Sequence, residues 1–436
     1  MSTKDKFDDI YGLTPLQKGM LFHALATPDD ALYFEQLTCE LQGELNHEAF
    51  ARTWDLLKDR HSVLRTAFVW KGQREPVQVV LREASVPWDQ LDWIDCYPAT
   101  QAQKQHDFLI DDRKRGFSLN RAPLMRITTA RLSKDRWFFV WSHHHILMDG
   151  WSLPLLMKEF FSIYHAISEG REVILSRIRP YGDYISWLKD WNQDNHSESN
   201  WREYLSGFSE SNDLGLSVSR QKSDGFLEAC LTFSAEETDR LQYLGHEWEL
   251  TLNTLVQGAW AKVIGQHSGR DDVVFGITVS GMPPTMDQVE AMVGLFINTV
   301  PFRTQVNDAL SPKNYLKSIQ KRQLSMMPHE YGNLADIQRW SDMPGGQSLF
   351  DTLLVFENYP MGDAIPQDIG GLSVQNVDFA ERTNYALTLV AIPGRELRLK
   401  MSFDSSRLRM KKAQRMLVHL KMALLGLTKG LPKVGD

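Results

Sequence analysis

Apolar residues along the chain keep two rhythms, and the switches between them mark its elements. After Thr14-Pro15, a cap followed by a first-turn proline, Leu16, Met20 and Phe22 give a helix its apolar side. Tyr33 to Leu41 reads as a strand, and Asn46 caps a second helix whose Phe50, Trp54 and Leu57 share one face. Val63 to Trp70 is expected to be a strand with Arg65 inside it, pairing with Val77 to Leu81 across the turn at Lys71-Gly72-Gln73. A helix around Ala99 to Asp112 and a strand from Leu124 to Leu132 follow. The unbroken apolar run Trp137-Phe138-Phe139-Val140 then has the form of a buried strand. Beyond it Leu156, Phe160, Ile163 and Ile167 recur at helical spacing, with Ser152 placed to cap, Pro154 in the first turn and Gly170 at the end.

From Glu169 to Pro180 the pattern turns polar and irregular, which sets an expected division into residues 1–175 and 176–436. The second part opens with a helical stretch, Tyr181 to Trp191, and repeats the flavour of the first. Ser234 and Glu237 form a capping-box pair, and Leu252 to Gln266 is a helix rich in alanine and valine. Asp272 to Val279 is a buried strand ended by the loop Ser280-Gly281-Met282-Pro283-Pro284. In Val293 to Arg303 the proline at 301 implies an edge or a strand end. A helix from Leu316 to Met327, strands at Thr352 to Phe356, Ala386 to Ile392 and Leu397 to Phe403, and a helix from Lys411 to about Leu427 complete the chain. The fold class is α/β, with mixed sheets in α+β proportion.

Composition narrows the function. With 42% hydrophobic and 11% aromatic residues among 436, the chain can fill a sizeable core. A formal net charge of -7, with interleaved signs, speaks against a nucleic-acid partner. The three cysteines, Cys39, Cys96 and Cys230, are far apart and give neither a disulfide framework nor a zinc spacing. No apolar run approaches the roughly 20 residues of a membrane span, and no signal-peptide core follows Met1, so a cytoplasmic location is expected.

The chemistry concentrates between the strand at Trp137 and the helix at Ser152, in His143-His144-His145-Ile146-Leu147-Met148-Asp149-Gly150-Trp151. Three readings compete. The histidines could be polar residues satisfied at a sheet end. They could bind a metal with Asp149, although no cysteine pair or His-Glu-x-x-His helix supports this. Or one histidine accepts a proton from an attacking amine or hydroxyl. Alternation along extended backbone sends His143 and His145 one way and His144 the other, so at most two serve one site. Asp149, close to apolar residues, needs a partner, and Arg65 on a neighbouring strand is the natural one. Gly150 allows close approach of backbone or substrate. His145 is then expected to face the reactants while Asp149 holds the loop. No Gly-x-Ser-x-Gly elbow or activated cysteine accompanies it, which points to direct transfer between two bound substrates.

His144-His145-Ile146-Leu147-Met148-Asp149-Gly150 matches the His-His-x-x-x-Asp-Gly signature of nonribosomal peptide synthetase condensation domains, shared with chloramphenicol acetyltransferase-like acyltransferases. Further matches come in the family's order: Leu13 to His23, Arg60 to Phe68, Tyr181-Gly182-Asp183-Tyr184, Val293 to Thr299 and Gln347 to Asp351. The resemblance implies two acetyltransferase-like subdomains in a V-shaped pseudo-dimer with a central tunnel, the first alone carrying the motif. It implies upstream donor and downstream acceptor peptidyl carrier proteins, whose phosphopantetheine arms bring an acyl or peptidyl thioester and an aminoacyl thioester. The product is an amide, and the domain binds no cofactor or metal of its own. His145 is implied as the catalytic histidine, with Gly150 beside the reacting thioester and His144, Asp149 and Arg65 as structural support. Trp151, Ser280 and Asn298 are implied to line the tunnel, a strand-end hydrogen bond being the equal alternative for Asn298.

Some positions depart from the family's pattern. Met282 stands where relatives often carry arginine. The aspartates of heterocyclisation relatives and the early His-His element of dual epimerising relatives are both missing. The opening motif and the histidine motif resemble domains that take a D-configured donor, which is favoured over L. Lacking an adenylation domain and a carrier serine motif, the chain is expected to be one monomeric piece of a module, with an adenylation domain as neighbour. The competing expectations are a non-catalytic carrier-docking module of the same fold and a free-standing acyltransferase using coenzyme A thioesters.

Overall fold

Alternating burial along strands and one-sided burial along helices sort the chain into two compact units, each with its own sheet. A computed structural model describes residues 6–28, 31–194, 197–216, 225–358 and 371–428. One unit comprises Met1–Gln193, Met282–Phe296 and Tyr359–Asn384, and the other Asp194–Gly281, Ile297–Asn358 and Tyr385–Asp436.

In chain order the first unit holds β1 (Phe7–Gly12), α1 (Pro15–Ala26), β2 (Phe34–Gln42), α2 (His47–Arg60), β3 (Thr66–Val69), β4 (Val77–Leu81), β5 (Trp88–Asp92), α3 (Pro98–Arg115), β6 (Met125–Arg131), β7 (Arg136–His144), α4 (Ser152–Ser168) and α5 (Tyr181–Asp194). The second part of the chain adds α6 (Ser197–Leu205), β8 (Phe226–Thr232), α7 (Ala235–Trp248), α8 (Leu252–Ser268), β9 (Asp272–Val279), β10 (Asn298–Gln305), α9 (Pro312–Met326), α10 (Leu334–Trp340), β11 (Thr352–Phe356), β12 (Ser373–Ala380), β13 (Leu387–Ile392), β14 (Arg398–Asp404) and α11 (Met410–Leu427).

The five-stranded sheet of the first unit runs β12-β2-β7-β6-β5, beside a three-stranded β1-β4-β3 sheet. Strand β7 lies at its centre, antiparallel to β2 and β6, with Glu35 opposite His143 and Gln36 opposite Ser142. One face carries Trp141 against Trp54 of α2, and the other carries Phe138 and Val140 against Trp93. On that second face a buried polar cluster ties α3 to the sheet. Asp112 accepts from Arg126, from the Ser142 hydroxyl and from the Gln36 amide. The Arg126 guanidinium also stacks on the Phe117 ring. A sheet buried on both faces explains why β7 reads as a continuous apolar run.

The other unit is built on a six-stranded sheet, β10-β9-β11-β13-β14-β8, in which β11 runs parallel to both neighbours and the rest are antiparallel. Strand β10 is an edge strand, so Pro301 costs no ladder bond on its outer side. Among the described residues no helix is long and apolar enough to cross a membrane.

The expected cut between 175 and 176 is corrected: α5 stays with the first unit. Its Tyr181 hydroxyl donates to the Leu295 carbonyl at 2.6 Å and its Tyr184 hydroxyl to the Phe296 carbonyl at 3.4 Å. The polar stretch after α4 is a surface connection inside this unit, and two later segments return to it. Arg65 is also displaced from its expected strand. It ends a short 3-10 turn, Ser62–Arg65, and the strand starts at Thr66.

Candidate active site

Strand β7 ends at His144, and residues 145–151 turn the chain into α4. His145 donates its backbone N–H to the Tyr33 carbonyl at 2.8 Å. Gln17, fully buried in the capping box that opens α1, donates to the Ile146 carbonyl at 2.9 Å. Asp149 donates its N–H to the Gly294 carbonyl at 3.2 Å. These backbone bonds fix the loop before any side chain of the motif is considered.

Asp149 is 1% exposed. Its carboxylate accepts from the Trp151 N–H at 3.1 Å and from the Phe296 N–H at 2.8 Å. The expected Arg65 partner is corrected: that guanidinium bonds Asp8 of β1 and the Leu81 carbonyl. Its starting point in the 3-10 turn sends it along the small sheet instead. Asp149 thus works as an acceptor for backbone amides, which suits a carboxylate. Ser152 also departs from its expected capping role. Trp151 is the N-cap without a side-chain bond, and the Ser152 hydroxyl spans both the N–H and the carbonyl of Gly294 at 3.0 Å. A Cβ on Gly294 would overlap the Tyr181 ring. We expect Gly294→Ala to destabilise the first unit by about 2–3 kcal/mol, measured by urea unfolding against the parent chain.

The three histidines divide as alternation requires. His143 and His145 bring Nδ1 to within 3.4 and 3.3 Å of the two Glu35 oxygens. Both are electrostatic contacts and not formed hydrogen bonds, the His145 Nδ1 bond going to the Met148 carbonyl. His144 turns away, its Nδ1 accepting from the Ile146 N–H at 3.1 Å. Burial, reinforced by the neighbouring histidines, pushes both His143 and His144 down to about 3. Both rings therefore stay neutral in the fold, while histidine in an unfolded chain protonates near 6.5. Their contribution to stability is complete above about pH 6.5 and is lost as pH falls towards 3. Each ring adds a slope of up to about 1.4 kcal/mol per pH unit in that window, which urea titrations at a series of pH values would read.

His145 differs from its two neighbours. Its side chain is 15% exposed, against none for His143. Its Nδ1 lies 2.8 Å from the Met148 carbonyl, which can only accept, so Nδ1 carries the proton and Nε2 carries the lone pair. From 141 to 154 only His145, Gly150 and Trp151 escape full burial. Beneath His145, Tyr33 takes φ 61°, an uncommon conformation for a bulky residue that costs of order 1–3 kcal/mol. It is held by its N–H to the Arg382 carbonyl and its hydroxyl to Asn384.

The implied tunnel residues fare differently. Ser280 is exposed, directly after β9. Asn298 is 6% exposed, and its amide donates to the carbonyls of Glu330 and Gly332, both at 2.8 Å. These two bonds are the strand-end hydrogen bonding that stood as the equal alternative for Asn298. Sequence reasoning missed Glu35, Gln17 and Gly294. Glu35 did leave a signal, an acidic residue inside an apolar strand. The other two act through contacts far along the chain.

A family model described as "Condensation domain" matches residues 7–433. A linear gramicidin synthase polypeptide of Brevibacillus parabrevis is 41% identical over 99% of this chain and 9% of its own length. Surfactin synthase subunit 3 of Bacillus subtilis (strain 168) is 35% identical over 93% of this chain and 32% of its own length. The chain thus spans no more than about a third of either relative. Among solved structures, the first condensation domain of the calcium-dependent antibiotic synthetase, in complex with a substrate analogue, matches with TM-score 0.78 and 18% identity over 97% of this chain and 96% of that one. A four-domain nonribosomal peptide synthetase bound to AMP and glycine matches with TM-score 0.81 and 14% identity over 97% of this chain and 33% of that one. At these identities the likeness is one of fold.

Proposed function

The chain belongs to the condensation-domain family, and from that premise we propose that it joins a donor acyl or peptidyl thioester to an acceptor aminoacyl thioester as an amide. Both substrates arrive on phosphopantetheine arms of peptidyl carrier proteins, within an assembly that also contains adenylation domains. The acceptor nitrogen attacks the donor carbonyl carbon, the carbon–sulfur bond breaks, and the thiolate leaves on the donor arm. The proton lost by the amine passes to Nε2 of His145 and then to that thiolate. The bulk of the acceleration comes from holding the two arms together, with proton transfer adding about 100-fold to 10,000-fold.

One observation carries this reading: His145, Gly150 and Trp151 alone are reachable in an otherwise buried loop, and His145 keeps a lone pair on Nε2. Gly150 supplies backbone close to the developing oxyanion. His144 and Asp149 hold the loop, and Trp151 and Ser280 touch the incoming arms. The sequences at Leu13 to His23 and His143 to Trp151 support a D-configured donor.

The test combines a loaded donor carrier, this chain and a loaded acceptor carrier, with D- and L-terminated donors in parallel, and reads products by intact mass. The expected product is the condensed chain on the acceptor carrier, faster with the D donor. Carrier binding without product from any pair would mean a docking module. Equal turnover of coenzyme A thioesters would mean a free-standing acyltransferase.

A further inference from the structure

Among the described residues, Glu35 is the acidic side chain that the fold sets against both His143 and His145. It lies in β2 directly opposite His143, with its side chain 4% exposed. A buried carboxylate is tolerated only where donors or positive charge face it. Here Oε1 stands 3.3 Å from Nδ1 of His145 and Oε2 3.4 Å from Nδ1 of His143. His143 is sealed and kept neutral by burial, so a proton arriving from outside can settle on His145 alone. The Met148 carbonyl and the Glu35 carboxylate approach the same nitrogen of that ring, and both are acceptors.

We propose that Glu35 is a positioning residue for His145: with the Met148 carbonyl it keeps the ring proton on Nδ1, and its charge offsets the positive charge that the ring gains when Nε2 takes a proton. The proposal rests on the amide-forming reading of His145 and extends it by one residue. A histidine in the wrong tautomer presents a proton where a lone pair is needed, which stops it from acting as a base. Glutamine at 35 keeps the shape, removes the charge and offers an N–H to Nδ1, which favours that wrong tautomer. Aspartate keeps the charge on a shorter stem.

The experiment uses the full chain labelled with nitrogen-15 in its histidines, with His145 assigned by its loss in His145→Ala. At pH 8 the parent should show a protonated Nδ1 and a bare Nε2. In Glu35→Gln the two resonances should move towards each other as the second tautomer fills. Its kcat for amide formation should fall about 100-fold, with KM for the acceptor carrier unchanged. Glu35→Asp should keep the parent tautomer and recover about 10-fold of that loss. An unchanged tautomer in Glu35→Gln overturns the proposal, as does a loss in KM alone or an aspartate variant as slow as glutamine. If Glu35→Gln does not fold, Glu35→Asp decides: the parent tautomer with kcat about 10-fold below the parent supports the proposal, and a parent kcat or a loss in KM alone overturns it. Should the parent itself form no amide from any pair, the amide reading fails, while the tautomer comparison still judges Glu35.

Discussion

With His145 replaced by alanine, amide formation between two loaded carriers falls by about 100-fold to 10,000-fold, and the chain stays folded. The loss is chemical because of what the ring touches. It leaves the core little packing, being partly open, and its hydrogen bond runs from Nδ1 to the Met148 carbonyl. Losing that bond costs about 1 kcal/mol, too little to unfold a chain of this size. Carrier binding should survive, since the ring is only 15% exposed and offers a carrier protein little surface. Stopped-assay rates and a urea melt on the same preparation separate the two effects. Unchanged turnover in a folded variant would remove His145 from the mechanism.

Asp149→Ala should show the opposite split. Its two oxygens accept from the backbone of Trp151 and Phe296, and Phe296 is 1% exposed. Alanine leaves those amides without acceptors, and water has little room to replace the carboxylate. Bonds to a charged acceptor are worth about 1.5–3 kcal/mol each, so the first unit should lose about 3–5 kcal/mol. Activity then falls with the loop, at a denaturant midpoint visibly below that of His145→Ala. Asp149→Asn retains one good acceptor and should recover about half of the stability. An alanine variant as stable as the parent, with activity lost, would make Asp149 a participant in the chemistry.

The contrast between these two residues also shows where the sequence was legible. Strands buried on both faces or packed at a sheet centre stand out: Asp272–Val279 and Thr352–Phe356 carry the boundaries that their apolar runs imply. The strands that escape notice, β1, β5, β8 and β12, are all sheet edges. Each is largely open to solvent, so neither alternation nor a solid apolar run marks it. In the site, His145, Asp149 and Gly150 lie within six residues and announce themselves by type and spacing. Glu35 and Gln17 reach them from other elements, which spacing cannot convey. Arg65 misled because an arginine among apolar residues looks like a ready counter-charge, when a turn of 3-10 helix had already aimed it at Asp8.

The return of Met282–Phe296 to the first unit bears on how the chain is made. Asp149 leaves the ribosome 147 residues ahead of Phe296, the donor that closes its second oxygen. Until that donor emerges the histidine loop lacks part of its frame, so nascent chains arrested before it should expose the loop to protease while the surrounding sheet already resists. A gene fragment cut at the end of α5 would carry every motif histidine and still encode an unfinished site.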